Sequence, residues 1–235
     1  MNKLSLVITI SLFALAFNAQ IKAQETKAPP AQNNQQFEEW SDDFSRDKLD
    51  ESKWEKFTFE GGSGGKLEVG DGIVKIRSAS KTRAGIRTKK SFAGERWIVE
   101  AHLAKVGAAL PEAGSNGQAL GFAAVTILFD SAGRNRLEWI LTSEGTFEAW
   151  AMTDGRGERL DNRKLGTKMK NPVLSVVRRG DEFLFVLNSA DGKSEDAQIG
   201  LKATIKNMPK SFHLMLYGYG SSENNWDSAR IVTTK

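Results

Sequence analysis

The chain carries two His and two Tyr, and all four sit in segments where apolar and polar residues alternate. In Trp97–Leu103 the apolar set Trp97, Val99, Ala101 and Leu103 shares one face, leaving Ile98, Glu100 and His102 on the other. In Phe212–Tyr219 the apolar set is Phe212, Leu214, Leu216 and Gly218, and His213, Met215, Tyr217 and Tyr219 point away from it. If both apolar sets face a core, His102, His213, Tyr217, Tyr219 and Glu100 project outward. Arg87, Glu138 and Glu148 join them, Glu138 on condition that Leu137, Trp139 and Leu141 are the core set. These residue types suit work on sugars. A lyase acting on uronic-acid polymers needs a cation beside the carboxylate, a base for the C5 proton and an acid for the leaving oxygen. Arg87, His102 or His213, and Tyr217 or Tyr219 supply those types. A hydrolase would pair two carboxylates from Glu100, Glu138 and Glu148 across strands, about 5–5.5 Å apart for a retaining mechanism. The same positions also read as the ordinary solvated side of an exposed sheet.

Six Trp add surface for the apolar faces of sugars. Trp150 shares a face with Glu148 and Met152, opposite Phe147, Ala149 and Ala151, and is the leading stacking candidate. Trp226 is the next, with closure of a sheet edge as its other role. Trp97 reads as core on alternation, and Trp139 divides evenly between core and site.

Composition narrows the field. The 235 residues include no Cys, which removes disulfides, thiolate metal ligands and cysteine nucleophiles. Two His are too few for a multi-His zinc site. The net charge of +4 points toward anionic partners only until the N-terminus is read. Met1–Lys3 is positively charged, Leu4–Phe17 is apolar but for Ser5, Thr9 and Ser11, and Ala19 and Ala23 are small residues near a cleavage point. This predicts a signal peptide over residues 1–23, too short to span a bilayer. Cleavage before Gln24 removes Lys3 and Lys22 and leaves a net charge of +2, which gives no case for a nucleic-acid partner. Residues 24–36 are polar, contain Pro29-Pro30 and read as a flexible linker. A cysteine-free exported chain suits a bacterial periplasm or exterior.

Residues 37–235 read as one all-β domain, because short alternating segments recur between Gly, Asp and Asn clusters. Strands are expected at Lys66–Val69, Ile73–Arg77, Gly85–Phe92, Trp97–Lys105, Leu120–Phe129, Arg136–Thr142 and Thr146–Met152. Four more are expected at Val173–Arg178, Glu182–Asn188, Phe212–Tyr219 and Ala229–Thr233. Turns fall at Gly70-Asp71-Gly72, Ser143-Glu144-Gly145, Arg179-Gly180-Asp181 and Ala190-Asp191-Gly192. This many strands with almost no helical period indicates a sandwich or closed barrel. Phe37–Lys56 is polar, with room for a helical turn near Leu49–Trp54. Gly61–Gly65 lacks the Lys-Ser/Thr ending of a phosphate cradle and reads as a loop. Ala108–Gly117 reads as a long loop at one end of a groove, and the basic stretch Arg156–Lys170 as a solvated loop, with contact to an anionic glycan as its other reading.

The run Trp40-Ser41-Asp42-Asp43-Phe44-Ser45, then Leu49-Asp50 and Lys53-Trp54, resembles the opening of bacterial concanavalin A-like lectin/glucanase domains. Gly85–Phe92 followed by Trp97–Ala101 is similar to a later segment of those domains, and Trp226–Ile231 to their closing strand. The resemblance implies a two-sheet antiparallel jelly roll whose concave sheet face forms a glycan-binding groove. It also implies that Asp43 and Asp227, with a carbonyl from Gly61–Gly65, could hold a structural Ca²⁺. The glucanase Glu-x-Asp-x-x-Glu strand is absent, since the nearest strands carry Glu138 and Glu148 singly. The Gln-Ile-His strand of jelly-roll alginate lyases is absent as well.

The sequence therefore predicts an exported, monomeric sandwich that binds polysaccharide or oligosaccharide and needs no cofactor. Its contacts are Glu138, Glu148, Trp150, His213, Tyr219 and Trp226. A polysaccharide-cleaving enzyme using Arg87, Glu100, His102 and Tyr217 stays open beside it, as does a protein-interaction module of the cell envelope.

Overall fold

The computed structural model describes residues 36–59, 65–78, 83–106, 121–142, 145–164, 171–189, 199–220 and 223–234. The expected signal peptide, almost all of the linker, the Ala108–Gly117 loop and most of the Gly61–Gly65 run lie outside them, as do Ser143-Glu144 and the Ala190–Gly192 turn. Among the described residues there are sixteen strands and no helix. The first eight are β1 (Phe37–Asp42), β2 (Trp54–Phe59), β3 (Lys66–Gly70), β4 (Ile73–Arg77), β5 (Arg83–Thr88), β6 (Phe92–Ala93), β7 (Arg96–Val106) and β8 (Phe122–Leu128). The rest are β9 (Arg136–Thr142), β10 (Thr146–Thr153), β11 (Arg156–Lys164), β12 (Pro172–Arg179), β13 (Glu182–Ser189), β14 (Ile199–Thr204), β15 (Ser211–Tyr219) and β16 (Glu223–Thr234).

They form two antiparallel sheets. The first has the order β14-β13-β12-β7-β16-β4-β3, with β1 also paired to β16. The second has the order β11-β10-β9-β8-β15-β5-β2, with β6 paired to β15. The core between them takes one face of each alternating strand: Trp97, Val99 and Ala101 from β7, Leu214 and Leu216 from β15, Leu137 and Trp139 from β9. Each fully buried Val or Leu side chain among them contributes about 1.5–3 kcal/mol relative to exposure. Rings interlock across the core. Trp97 packs on Phe212 with centroids 4.6 Å apart, and Trp139 packs on Phe185 at 5.6 Å. Trp139 also ties the sheets together, because its indole N–H donates to the Val186 carbonyl at 3.0 Å.

The opening motif has a structural account. Trp40, Phe44 and Phe92 surround Trp54 or one another at 5.2–5.7 Å. Asp42 accepts from the Trp54 indole N–H at 2.8 Å and from the Phe44 amide at 3.0 Å, so one carboxylate pins two members of the cluster. The helical turn expected near Leu49–Trp54 is a single turn, in which Asp50 O accepts from both Lys53 N and Trp54 N at 2.9 Å. β2 begins at its last residue.

Four segments differ from the sequence expectation. β1 occupies polar Phe37–Asp42, β2 and β14 fall where no strand was expected, and Arg156–Lys164 is a strand rather than a loop. β11 follows from Asp154-Gly155, where both residues have positive φ (52° and 82°), the geometry of a two-residue hairpin that Asp-Gly favours. Asp71-Gly72 makes the same turn between β3 and β4, at φ 55° and 71°.

Candidate functional site

The outer face of the second sheet is not an ordinary solvated surface. β8 is buried along nearly its whole length and β9 along all of it, although only one side of each faces the core. Ala124, Leu128, Ile140, Met215 and Tyr217 form a second buried cluster on that outer side, with Phe57, Phe122, Trp150 and Tyr219 packed against it.

Strand register arranges this face in rows. One row crosses the whole sheet as Glu55, Arg87, Met215, Thr126, Glu138, Trp150 and Arg159. The next row is Phe57, Gly85, Tyr217, Ala124, Ile140, Glu148 and Asn162. A third places His213 beside Leu128, Arg136 and Met152, and a fourth places Arg83 beside Tyr219 and Phe122.

At the centre, Glu138 Oε1 accepts from Tyr217 Oη at 2.9 Å and from Arg136 Nε at 2.9 Å. Arg136 Nη1 donates in turn to Gly133 O at 2.5 Å. The three side chains are buried, and the pairing of carboxylate with guanidinium is what allows a charge there. Burial, reinforced by the Glu138 charge, pushes the Tyr217 hydroxyl well above its ordinary pKa, so the phenol stays protonated and donates. Thr126, opposite Glu138, is fully buried, and its hydroxyl has no hydrogen-bond partner among the described residues.

Toward β11 the Glu148 carboxylate accepts from the Trp150 indole at 2.8 Å and from the Asn162 amide at 3.2 Å. The half-buried Trp150 ring is therefore held in one orientation. Toward β2, Arg87 pairs with Glu55 at 2.5 Å and lies over the Phe57 ring, 4.3 Å from its centroid. His213 Nδ1 meets the Thr88 carbonyl at 2.7 Å.

The residues read from the sequence divide among three places. Arg87, Glu138, Glu148, Trp150, His213, Tyr217 and Tyr219 share the outer face of the second sheet. Glu100 and His102 lie on the outer face of the first sheet, where Glu100 pairs with Arg230 at 3.5 Å. The set Arg87, Glu100, His102 and Tyr217 thus forms no single catalytic constellation, because the core separates its halves. Trp226 is fully buried in the core and offers no surface to a sugar. A bulge in β16 turns it inward, with Trp226 opposite Leu103, Ser228 opposite His102 and Asp227 the extra residue. Phe57, Arg83, Phe122 and Arg136 belong to the site and were not read from the sequence, and Arg159 was read only within the basic stretch Arg156–Lys170. The Asp-Gly turn before β11 was the signal that would have placed Arg159.

Asp43 and Asp227 lie near the β1–β16 pairing, but Ca²⁺ takes six to eight oxygens. Asp43 Oδ1 accepts from the Ser45 amide at 3.1 Å, and Asp227 Oδ1 from the Ser228 hydroxyl at 3.1 Å. No group of three His, Cys, Asp or Glu suited to a metal occurs among the described residues. Two carboxylates fall short of that number by themselves, and the carbonyl expected from Gly61–Gly65 lies mostly outside the described residues.

No protein-family model matches the sequence, and no curated protein matches it. Solved structures do. A Bacillus licheniformis β-glucanase superposes with TM-score 0.59 at 9% identity, covering 84% of this chain and 98% of that one. The carbohydrate binding module CBM66 of Bacillus subtilis gives 0.51 at 13% identity, covering 78% and 94%. The exoplasmic/lumenal domain of VIP36, in its Ca²⁺/Man3GlcNAc-bound form, gives 0.54 at 13% identity, covering 76% and 82%. At these identities the likeness establishes the fold: a concanavalin A-like, lectin/glucanase jelly-roll sandwich.

Proposed function

We propose that the chain is an exported glycan-binding protein whose binding surface is the outer face of the second sheet. One observation carries the reading. A sheet face that the core does not use is lined by oriented rings and by hydrogen-bonding side chains in register, from Arg87 through Glu138 to Trp150. Sugar recognition asks for that combination, since rings pack on C–H faces while fixed carboxylates and amides select hydroxyl geometry. Structures of the same fold include a carbohydrate binding module and a mannose-oligosaccharide complex, which supports the reading. Export rests on the signal peptide read at residues 1–23, and Trp150, Glu148, Tyr219 and His213 are the proposed contacts.

A second reading, polysaccharide cleavage at the same face, is favoured by the ionic Glu138–Arg136 pair and the protonated Tyr217 beside it. One experiment separates the two. Affinity electrophoresis against a polysaccharide panel is run alongside reducing-end release and unsaturated-product absorbance. Retardation without product is the expected result; product of either kind establishes an enzyme, and neither retardation nor product overturns both readings.

A further inference from the structure

We infer that the chain pairs with a second copy of itself through the outer face of the first sheet, in place of the monomer expected from its sequence. The outer side of a solvated antiparallel sheet is ordinarily polar. One row here is not. Across six strands the register aligns Lys202, Leu184, Val177, Ile98, Val232 and Glu39. The four middle residues are aliphatic, alternate with the core residues of their own strands, and keep part of their surface open to solvent. Val186 and Val173 lie on the same side, in the two rows that follow. A contiguous apolar patch outside the core marks a surface for a partner.

The ends of the row say which partner. Read from either end it runs from a charge through aliphatic residues to the opposite charge. A twofold axis along the strands between β12 and β7, in the plane between two facing copies, lays this row on its own reverse. Val177 then meets Ile98 of the second copy, Leu184 meets Val232, and Lys202 meets Glu39, each contact occurring twice. The Lys202 and Glu39 side chains are 63% and 56% exposed, so both can reach across. Within one chain Lys202 pairs with Glu182 at 2.6 Å and Glu39 with Arg230 at 2.7 Å. Docking joins these pairs into the alternating series Glu182, Lys202, Glu39, Arg230, and a network of charges is worth more than isolated surface pairs. Six strands at about 4.8 Å and eight residues at about 3.4 Å give a face of about 29 Å by about 27 Å, close to the roughly 800 Å² per partner of a standard interface. Residues 24–36, which precede β1, carry no large apolar side chain with which to cover it.

The pairing stands independently of the glycan-binding reading, and taken with that reading it makes the protein bivalent. Four sheets about 10 Å apart would stack with the two outer faces that bear Trp150 pointing away from each other, about 30 Å apart. Such a dimer cross-links two polysaccharide chains.

Sedimentation equilibrium of the full mature chain, from about 1 μM to about 200 μM, tests the pairing. Reversible association to twice the monomer mass is the expected result; a single monomeric species over the whole range overturns the inference. Ile98→Lys, which brings two ammonium groups to the axis, should raise the dissociation constant about a hundredfold with little change in urea midpoint. A dimer unaffected by that change lies on another surface and overturns the inference. Lys202→Glu and Glu39→Lys should each weaken association about tenfold, and the double variant should associate more tightly than either. In one chain these positions are about 24 Å apart, so the recovery arises only across the axis. Losses that simply add overturn the twofold placement. The same axis sets Arg179 against Arg96 of the second copy at the exposed rim, so Arg96→Glu should tighten the dimer several-fold, and weakening there counts against the axis. Finally, a polysaccharide that retards the chain in electrophoresis should precipitate with the parent and stay soluble with Ile98→Lys, retardation being equal. Precipitation by the monomeric variant overturns cross-linking, whereas failure to bind any polysaccharide overturns the glycan-binding reading and leaves the dimer standing.

Discussion

Tyr217 donates its hydroxyl hydrogen to Glu138 at 2.9 Å, although β15 and β9, which carry them, are not neighbours in the sheet. β8 runs between, and the residue it places opposite Tyr217 is Ala124, small enough for a ring to pass over. The bond therefore bridges two strand spacings on the outer face. Thr126, the residue opposite Glu138 on β8, is completely buried.

Removing the hydroxyl tests how much of the face depends on that bridge. Tyr217→Phe leaves Glu138 with Arg136 alone and should destabilise the protein by about 1–3 kcal/mol, read as a lowered urea midpoint. The pH dependence has a definite sign. Burial and the Glu138 charge raise the folded-state pKa of Tyr217 well above 10, so the unfolded chain releases this proton first. Its contribution is complete below pH 10 and is lost as pH climbs past 10 toward the raised folded value. The gap in stability between the parent and Tyr217→Phe should accordingly narrow above pH 10. A gap that widened there would refute the protonated-donor assignment.

Glu138 and Arg136 should behave as a buried pair. Glu138→Gln leaves a buried guanidinium without its counter-charge and should cost about 3–5 kcal/mol. Replacing both, as Arg136→Met with Glu138→Leu, removes the uncompensated charge and should cost less than either single change. Denaturant titration of the three variants checks this. Additive losses would mean that solvent reaches the pair.

Trp150 supplies a spectroscopic readout. Trp54, Trp97, Trp139 and Trp226 are sealed in the core and half-buried Trp40 belongs to β1 of the first sheet, so a glycan on the outer face of the second sheet perturbs chiefly the half-buried Trp150. A saturable change in tryptophan emission on adding the bound polysaccharide should disappear in Trp150→Ala, with binding at least tenfold weaker, about 1.4 kcal/mol or more. An unchanged emission response in that variant would place the binding surface elsewhere.

Alternation made much of this face legible beforehand. It placed Glu148, Trp150 and Met152 together and opposed them to Phe147, Ala149 and Ala151, as the burial pattern of β10 has it. It failed for Glu100 and His102 for a reason built into sandwiches. Period two says which side of a strand leaves the core, but a two-sheet fold has two outer faces. Which one β7 presents depends on its pairing with β12 and β16, strands distant in sequence. Trp226 was lost differently: the polar residues preceding it suggested an exposed ring, whereas a one-residue bulge at Asp227 sets it into the core. The Arg87–Phe57 pair was invisible for a third reason, since it joins residues on different strands and appears only once register is known.

Gly85 gives the last prediction, and it links backbone packing to the site. It lies between Phe57 and Tyr217 in the second row of the face, on β5. A Cβ added there would collide with the Leu216 carbonyl oxygen and come within 2.6 Å of Tyr217 Cβ, so the β5–β15 pair can keep its spacing only with glycine. Its backbone φ is not positive, so the requirement is steric rather than conformational. Gly85→Ala should therefore force β5 away from β15, at a cost of about 1–3 kcal/mol for the overpacking. The displacement falls on Tyr217, whose hydroxyl must still reach Glu138 across β8, and on Arg87, two residues along the same strand. Glycan affinity should drop together with stability in Gly85→Ala. At Gly145, where a Cβ would meet nothing within 4 Å but φ is +76°, alanine should cost stability through backbone strain without touching affinity. Measuring urea midpoint and polysaccharide retardation on both variants distinguishes a packing role for Gly85 in the site from a general loss of stability; equal retention of affinity in the two would sever the link.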